Sequence, residues 1–257
     1  MKKGALLCSM LLALTASSVA AAPGVNLRWV ECFGDTGVPN RSFACNVNTG
    51  SNLLVASFEL GADLPQASGL EIVIDLATAA TPLPDWWQIQ NAGTCRVGSL
   101  SAMGVPPAEA LLCTDWSGGL STAAVAAYRV GLLGPNTARI LEVSAVPSNQ
   151  LQDLTGGLEY FAISTRITNQ KTVGTGSCSG CSSPACIVLR GIKVVTPPVA
   201  GQPSRDVSLS GATDPAATSD FVTWQGGAGV VVGGRTGCPQ VIPTRRQTWS
   251  AVKGLYR

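Results

Sequence analysis

Nine cysteines are spread over this 257-residue chain, and they constrain its fold more than any other feature of the sequence. The first, Cys8, lies in a segment built like a signal peptide: Lys2 and Lys3, an apolar run over 5–14, then small residues. That apolar run is well short of the ~20 residues that a membrane span needs. We therefore expect residues 1–21 to be cleaved, leaving an exported chain with eight cysteines and no membrane span.

Eight cysteines in an oxidising compartment predict disulfides, because an even number can pair completely. The first four flank two turn-rich loops, which favours local pairs, and the last four allow three pairings. The predicted disulfides are Cys32–Cys45, Cys95–Cys113, Cys178–Cys186 and Cys181–Cys238. The spacing of Cys178, Cys181, Cys186 and Cys238 also fits a four-thiolate zinc site, which is the alternative for these four.

Short apolar runs rich in Val, Ile, Leu and Thr, separated by many of the 29 glycines and 16 prolines, are typical of strands and turns. Residues 70–76 and 161–168 alternate in polarity, the period of a half-buried strand. The pattern predicts an all-β, antiparallel β-sandwich with at most one or two short helices, such as 106–112 and 248–256. We expect a single domain over 22–257, with the best candidate for a weak boundary at 196–210.

Charge limits the partners of the mature chain. Lys2 and Lys3 leave with the signal peptide, so the 17 Lys and Arg become 15, equal to the 15 Asp and Glu. A neutral chain exerts little long-range attraction on nucleic acid, so we expect no nucleic-acid partner. It also lacks the self-repulsion that keeps charged proteins apart.

The chain contains no histidine, which removes Ser-His-Asp catalysis, histidine metal sites and the usual general base at neutral pH. Paired carboxylates remain as a route to a hydrolase, and the candidates are Glu71, Asp75, Asp85 and Asp115. The sequence contains no complete catalytic motif. We therefore predict no enzymatic activity, no catalytic residues and no cofactor.

Tryptophan is unusually frequent, with six Trp against five Phe and three Tyr. Trp86 and Trp87 follow the turn-forming segment 82–85, which predicts that at least one of the two rings lies at the surface. Exposed tryptophan on a β-sandwich is a common platform for sugar rings. Trp86 and Trp87 are therefore the candidate ligand contacts of a carbohydrate-binding module.

Two segments together resemble a group of uncharacterised exported bacterial proteins. The first is the cysteine-rich hairpin Cys178-Ser-Gly-Cys-Ser-Ser-Pro-Ala-Cys-Ile-Val-Leu189, and the second is the ending Thr248-Trp-Ser-Ala-Val-Lys-Gly-Leu-Tyr-Arg257. The resemblance covers mostly the last ~100 residues. It implies a bacterial, exported origin and one continuous fold, and it implies no catalytic residue. The ending is interpreted as a packed terminus, with a sorting or docking tag as the alternative.

These features together favour a secreted, disulfide-stabilised β-sandwich that acts outside the cytoplasm, in the extracellular space or the periplasm. Its predicted role is non-enzymatic binding or assembly, with a glycan or another surface protein as the partner. The alternatives are the carbohydrate-binding module that uses Trp86 and Trp87 and, less favoured, the carboxylate-based hydrolase.

Overall fold

The computed structural model describes residues 22–107, 113–214 and 219–227, together with the backbone of 231–232 and 235–236. In this part of the chain, strands are joined by turns, and the helical segments are 3-10 turns of three residues each. None of these helical segments is long and apolar enough to cross a bilayer. The all-β prediction is confirmed.

The strands are short to medium in length, and three 3-10 turns lie at Phe33–Asp35, Asp85–Trp87 and Gln225–Gly227. The strands are β1 Gly24–Trp29, β2 Asn40–Arg41, β3 Ser51–Glu59, β4 Leu64–Ala67, β5 Gly69–Thr78, β6 Leu100–Met103, β7 Thr114–Asp115, β8 Thr122–Val130, β9 Thr137–Ala145, β10 Gln152–Leu154, β11 Glu159–Thr168, β12 Ala185–Val195, β13 Val207–Leu209, β14 Phe221–Trp224, β15 Val231–Val232 and β16 Arg235–Thr236.

These strands form two main sheets. Sheet I has the order β1-β3-β11-β6, with β7 beside β11, and sheet II has the order β2-β14-β12-β5-β9-β8, with β13 beside β12. β4 pairs with β10, and β15 pairs with β16. The pairings are antiparallel except for two short parallel ones, β7 with β11 and β2 with β14. The predicted antiparallel sandwich therefore carries two parallel additions.

The core lies between the two sheets. Leu27 and Leu54 of sheet I belong to the same buried cluster as Ile72 and Ile140 of sheet II. Their neighbours along each strand point to the opposite face, as the period of two requires. In β5 this places Val73 outside the main core, in a small separate cluster with Leu141. The predicted alternation of 70–76 is thus confirmed.

A bulge in β11 breaks the alternation predicted for 161–168. Phe161 pairs with Ser57 and Ile163 pairs with Ala56, so Ala162 is an extra residue in the ladder. Ile163 packs in the main core, whereas Phe161 packs on the other face of sheet I against Cys32. The expectation that Phe161 and Ile163 share a face is wrong, because an extra residue shifts every later side chain by one position.

The segment 196–210, the best candidate for a domain boundary, leads back into the same core. β13, at Val207–Leu209, pairs with β12, and Leu209 packs in the main buried cluster. β14 follows and also pairs with β12, with Val222 in that cluster. The strands on both sides of the segment therefore share one hydrophobic core.

Three disulfides join loops that are far apart in sequence: Cys32–Cys113, Cys45–Cys181 and Cys95–Cys178, with separations of 81, 136 and 83 residues. Cys186 is also disulfide-bonded, to a partner outside the described residues. The predicted pairs Cys32–Cys45, Cys95–Cys113, Cys178–Cys186 and Cys181–Cys238 are wrong. The first three assumed closure of a local loop or hairpin, and the fourth joined the hairpin to the distant Cys238, whereas the two stacked sheets bring other distant loops together.

We predict that non-reducing peptide mapping of the exported protein will find Cys32–Cys113, Cys45–Cys181 and Cys95–Cys178. Because Cys238 is the one remaining cysteine of the mature sequence, the peptide carrying Cys186 should be linked to the peptide carrying Cys238. A reduced and alkylated sample provides the control. Recovery of Cys32 linked to Cys45, or of free thiols at these positions, contradicts the observed connectivity.

Candidate functional site

Trp86 and Trp87, the candidate sugar platform, are fully buried at 0% exposure each. They form the second and third residues of the 3-10 turn at Asp85–Trp87. Their rings lie 4.9 Å and 5.3 Å, centroid to centroid, from the ring of Trp224 on β14. The expectation of an exposed ring is wrong: Pro82 and Asp85 of the preceding turn are exposed, but both indoles point into the core.

These rings belong to a continuous cluster of aromatic side chains at one end of sheet II, which we call the aromatic cluster. Phe43 stacks on Trp224 at 3.9 Å and meets Trp29 edge-on at 4.7 Å. The indole N–H of Trp224 donates to the carbonyl of Cys181 at 2.7 Å, and that of Trp86 donates to Thr172 Oγ1 at 3.0 Å. The aromatic cluster comprises Trp29, Phe43, Trp86, Trp87 and Trp224.

The charged guanidinium of Arg96 packs against the aromatic cluster. Its guanidinium lies 3.6 Å from the centroid of the Trp86 ring, a cation–π contact in a site where Arg96 is only 1% exposed. Nη1 donates to the carbonyl of Trp86 at 2.7 Å, Nε donates to that of Gln170 at 3.0 Å, and Nη2 donates to that of Thr168. Burial lowers the pKa of Arg96 to about 9.

Two of the disulfides border the same cluster. Cys95 precedes Arg96 and is bonded to Cys178, while Cys45 is bonded to Cys181, whose carbonyl accepts from Trp224. Gln225, directly after Trp224, donates from Nε2 to the carbonyl of Phe43 at 2.9 Å. The crosslinks therefore fix the loops that carry the aromatic rings. The arrangement holds the fold together, and none of the four buried tryptophans of the cluster presents a ring face to a ligand.

The zinc alternative for Cys178, Cys181, Cys186 and Cys238 is wrong for the three cysteines that the structure describes. Their sulfurs are in disulfides, and zinc requires thiolates. Cys238 lies outside the described residues. A second group with metal-ligand spacing, Cys32, Asp35 and Cys113, fails for the same reason, because Cys32 and Cys113 are bonded to each other.

The candidate carboxylates of a hydrolase do not form a pair. Glu71 and Asp75 lie four residues apart on β5, which puts their Cα atoms about 13 Å apart at ~3.3 Å per residue. A hydrolase needs ~5–10 Å between the two carboxyl groups. Asp115 lies on sheet I and accepts from the backbone N–H groups of Ser117 and Gly119. Asp85 is exposed at the start of its 3-10 turn.

Asp75 is itself fully engaged. Its carboxylate, 0% exposed, accepts from Arg139 Nε at 2.6 Å and Nη2 at 2.8 Å, and Arg190 Nε lies 3.4 Å from Oδ2. Asp75 and Arg139 are paired across β5 and β9. A bidentate guanidinium contact of this kind occupies the oxygens that a catalytic acid would need. Asp75 is therefore a structural crosslink.

Glu142, which the sequence did not single out, is the most perturbed acid of the described residues. It lies on β9 in phase with the core residue Ile140, is 1% exposed, and accepts from Thr165 Oγ1 on β11 of the opposite sheet at 2.9–3.0 Å. Burial raises the pKa of Glu142 to about 8, against the smaller opposing effect of the Thr165 hydrogen bond. Glu142 stands where the alternation of its strand calls for an apolar side chain, and this pattern could have identified it from the sequence.

A half-buried acid, Glu159, organises the outer face of sheet I. Its carboxylate accepts from the backbone N–H groups of Phe33 at 3.0 Å and Gly34 at 2.8 Å, from Asn26 Nδ2 at 3.2 Å, and from Ser57 Oγ. A Cβ atom on Gly34 would lie 2.8 Å from Glu159 Oε2, so this approach requires glycine. Glu159 fastens the loop after β1 to sheet I.

No protein-family model, curated protein or solved structure matches the chain. The terminal segment Thr248–Arg257 lies outside the described residues, as do the predicted signal peptide and most of the predicted helix over 106–112. The tag interpretation of the ending and the resemblance to exported bacterial proteins stay predictions. The case for a function therefore depends on the described geometry.

Replacing the buried cation tests its structural role. We predict that Arg96→Met lowers the free energy of unfolding by about 3–5 kcal/mol, because one buried and two partly buried carbonyls lose their donor at ~1–3 kcal/mol each. The measurement is urea unfolding with the disulfides intact. The exposed Arg166→Met is the matched control and should change the free energy by less than ~1 kcal/mol. Equal effects of the two substitutions would contradict this role.

The raised pKa of Glu142 predicts that the free energy of unfolding depends on pH. Its folded pKa of about 8 exceeds the unfolded value, so the folded state holds the proton more tightly. Its contribution to the free energy of unfolding is complete below the unfolded pKa of ~4.3. As the pH rises from there to the folded pKa of about 8, that contribution declines by ~1.4 kcal/mol per pH unit. Urea unfolding at several pH values should therefore show a decline that Glu142→Gln removes.

Glu71→Gln, on the outer face of the sandwich, is the control for this experiment and should leave the decline in place. The comparison is made between variants, so the contributions of other titrating groups cancel. A decline that persists in Glu142→Gln, or one that is absent from the unsubstituted protein, contradicts a buried protonated Glu142.

Proposed function

We propose that this chain is an exported, non-enzymatic protein that binds or assembles at the cell surface or in the extracellular space. One observation carries the proposal: nearly every side chain that the sequence offers for chemistry is already engaged in holding the sandwich together. Among the described residues, the cysteines form disulfides, the tryptophans fill the core, and Asp75 and Asp115 are bound to groups of the protein itself.

The disulfides support the proposed location outside the cytoplasm. Three described bridges join segments at least 81 residues apart, and they can form only where thiols are oxidised as the chain folds. Such compartments are the periplasm, the secretory pathway and the cell exterior. The signal peptide predicted over 1–21 would deliver the chain there.

The placement of the candidate acids supports the non-enzymatic role. The chain has no histidine, and the candidate acids lie on different elements or inside salt bridges. A binding or assembly protein needs no catalytic group, only a rigid surface. The covalent and polar crosslinks described above provide that rigidity.

The alternative of a carbohydrate-binding module that uses Trp86 and Trp87 loses its basis, because stacking on a sugar requires an exposed ring face. Among the partners that the sequence suggested, another protein surface fits the described residues better than a glycan. The large apolar side chains that remain exposed are aliphatic: Val38, Val47, Val97, Val105, Leu120, Val130, Leu132, Leu158 and Val199.

The proposal predicts that the mature protein associates with itself or with the surface of the producing cells, in a saturable way, and that this association does not need the candidate acids. Labelled mature protein is titrated onto washed cells and, separately, examined for self-association. Asp85→Asn and Asp115→Asn should leave both measurements unchanged. A protein that associates with neither, and turns over a substrate in a manner abolished by one of these substitutions, would be an enzyme.

A further inference from the structure

The outer face of sheet II is buried, although a two-sheet sandwich commonly leaves the outer face of each sheet to solvent. Residues that pair across β14, β12, β5 and β9 form three rows on this face. These residues are 7% exposed or less. The rows are Thr223, Cys186 and Ala77; Phe221, Val188, Asp75 and Arg139; and Val73 and Leu141.

The third row shows that this face has a cover. Val73 and Leu141 form a cluster apart from the main core, and among the described residues Ala127 is the hydrophobic neighbour that packs against them. Ala127 pairs with Leu141 across β8 and β9, so its methyl group lies beside the leucine and not over it. Leu141 is nevertheless 1% exposed. A group outside the described residues therefore lies over it.

The arginines of this face do not supply the cover. Arg139 is bonded through Nε and Nη2 to Asp75, which keeps its guanidinium in the second row, and Arg190 Nε lies 3.4 Å from the same carboxylate. Arg139 is itself 5% exposed, so it needs a cover of its own. The same cover therefore extends over the second and third rows.

The buried area has a boundary within the described residues. In the row after the third, Glu71 and Val143 are half-buried and Ala124 is exposed. The buried area thus extends about 14 Å from β14 to β9, at ~4.8 Å per strand, and about 13 Å along the strands, at ~3.3 Å per residue. A single helix or strand of about ten residues is long enough to lie across it.

Cys186 connects the first row to a further segment of the chain. It is disulfide-bonded to a partner outside the described residues, and Cys238 is the one remaining cysteine of the mature sequence. The disulfide therefore fixes the chain at Cys238 to the first row. Six residues on this face or at its rim take part in further interactions: Cys186, Phe221, Arg139, Arg129, Lys193 and Ser208.

Two shorter segments outside the described residues cannot reach the third row. Residues 108–112 lead into Cys113, which is bonded to Cys32 on the outer face of sheet I, at the opposite side of the sandwich. Residues 215–218 precede Ser219, whose carbonyl accepts from a backbone N–H of β1. Four residues span at most ~14 Å, too little to cross from there to β9 and return.

We propose that residues 239–257 pack over the outer face of sheet II as a third layer, with 248–257 over Val73 and Leu141. The disulfide at Cys238 holds the start of this segment at the first row. Ten residues separate Cys238 from Trp249 and reach up to ~33 Å when extended, whereas the buried area is ~19 Å across its diagonal. The segment is therefore long enough to reach the third row.

The composition of this segment suits the face. Trp249, Val252 and Leu255 recur at the spacing of one helix face. Residues 239–257 include no acid, so the segment gains no ion pair from the arginines of the second row. Burial of apolar side chains against Val73 and Leu141 is the contribution that favours packing.

A third layer is independent of the proposed function, because binding or assembly can use any other surface of the protein. It does decide between the two interpretations of residues 248–257. They are a packed part of the fold and not an exposed tag.

Deleting residues 248–257 tests the contact. In the full chain, Leu141→Ala should lower the urea midpoint, because it removes buried methyl groups. In the shortened chain the same substitution should shift the midpoint at most half as much, since Leu141 would already face water. Ile140→Ala, at the neighbouring residue that packs in the main core, is the matched control and should shift the midpoint equally in both chains.

A photoreactive benzoylphenylalanine in place of Val143, on the rim of the buried area, tests the position of the segment in the full chain. Irradiation followed by peptide mapping should link position 143 to a peptide from 239–257. The same photoreactive residue in place of Val199, which is 42% exposed in the loop after β12, is the control and should give no such link.

Equal midpoint shifts for Leu141→Ala in the two chains overturn the inference. A link from position 143 to another part of the chain, or to a second copy, overturns it too, because a different group then covers the face. If the shortened chain does not fold, the link alone decides, and its absence overturns the inference. Neither measurement involves cell-surface binding or self-association, so the proposed function stands or fails separately.

Discussion

The guanidinium of Arg96 is the contact on which this end of the sandwich depends. A cation removed from water needs either an anion or several carbonyl dipoles, and here it has three carbonyls and the face of Trp86. Those carbonyls belong to the end of β11, the loop after it and the 3-10 turn at Asp85–Trp87. One side chain thereby connects sheet I to the loops that cover sheet II, and the adjacent Cys95–Cys178 disulfide makes the same connection covalent.

Acidic side chains connect other parts of the fold. Glu159 fastens a loop to sheet I through two backbone N–H groups, and Asp75 crosslinks β5 to β9 through Arg139. Glu142 bridges the two sheets through Thr165 and stays protonated at neutral pH because burial raises its pKa. Each of these three acids therefore has a partner within the fold.

The sequence predicted what depends on local pattern and failed where the answer depends on tertiary neighbours. The alternating run over 70–76 in β5 packs as expected, with one face in the core. The disulfides were paired wrongly because spacing reports only how easily a loop closes, whereas Cys45 and Cys181 meet through stacking of distant loops.

The candidate site failed for a related reason. Turn residues before Trp86 correctly indicated a turn near the surface, but the direction of the rings is set by Arg96 and Trp224, which lie elsewhere in the sequence. The sequence pattern could not have identified Arg96, since a lone arginine beside a cysteine is ordinary. It could have identified Glu142, because the alternation of its strand calls for an apolar side chain at that position.

The interior contacts also order β8 at the edge of sheet II. Tyr128 points inward from that strand, and its hydroxyl donates to the carbonyl of Trp87 at 2.5 Å, which ties β8 to the aromatic cluster. The same 3-10 turn carries the carbonyl of Trp86 that Arg96 binds, so β8 and the end of β11 are held by one short segment. A surface that is already ordered loses little backbone entropy on binding, which is why this rigidity suits the proposed binding or assembly role.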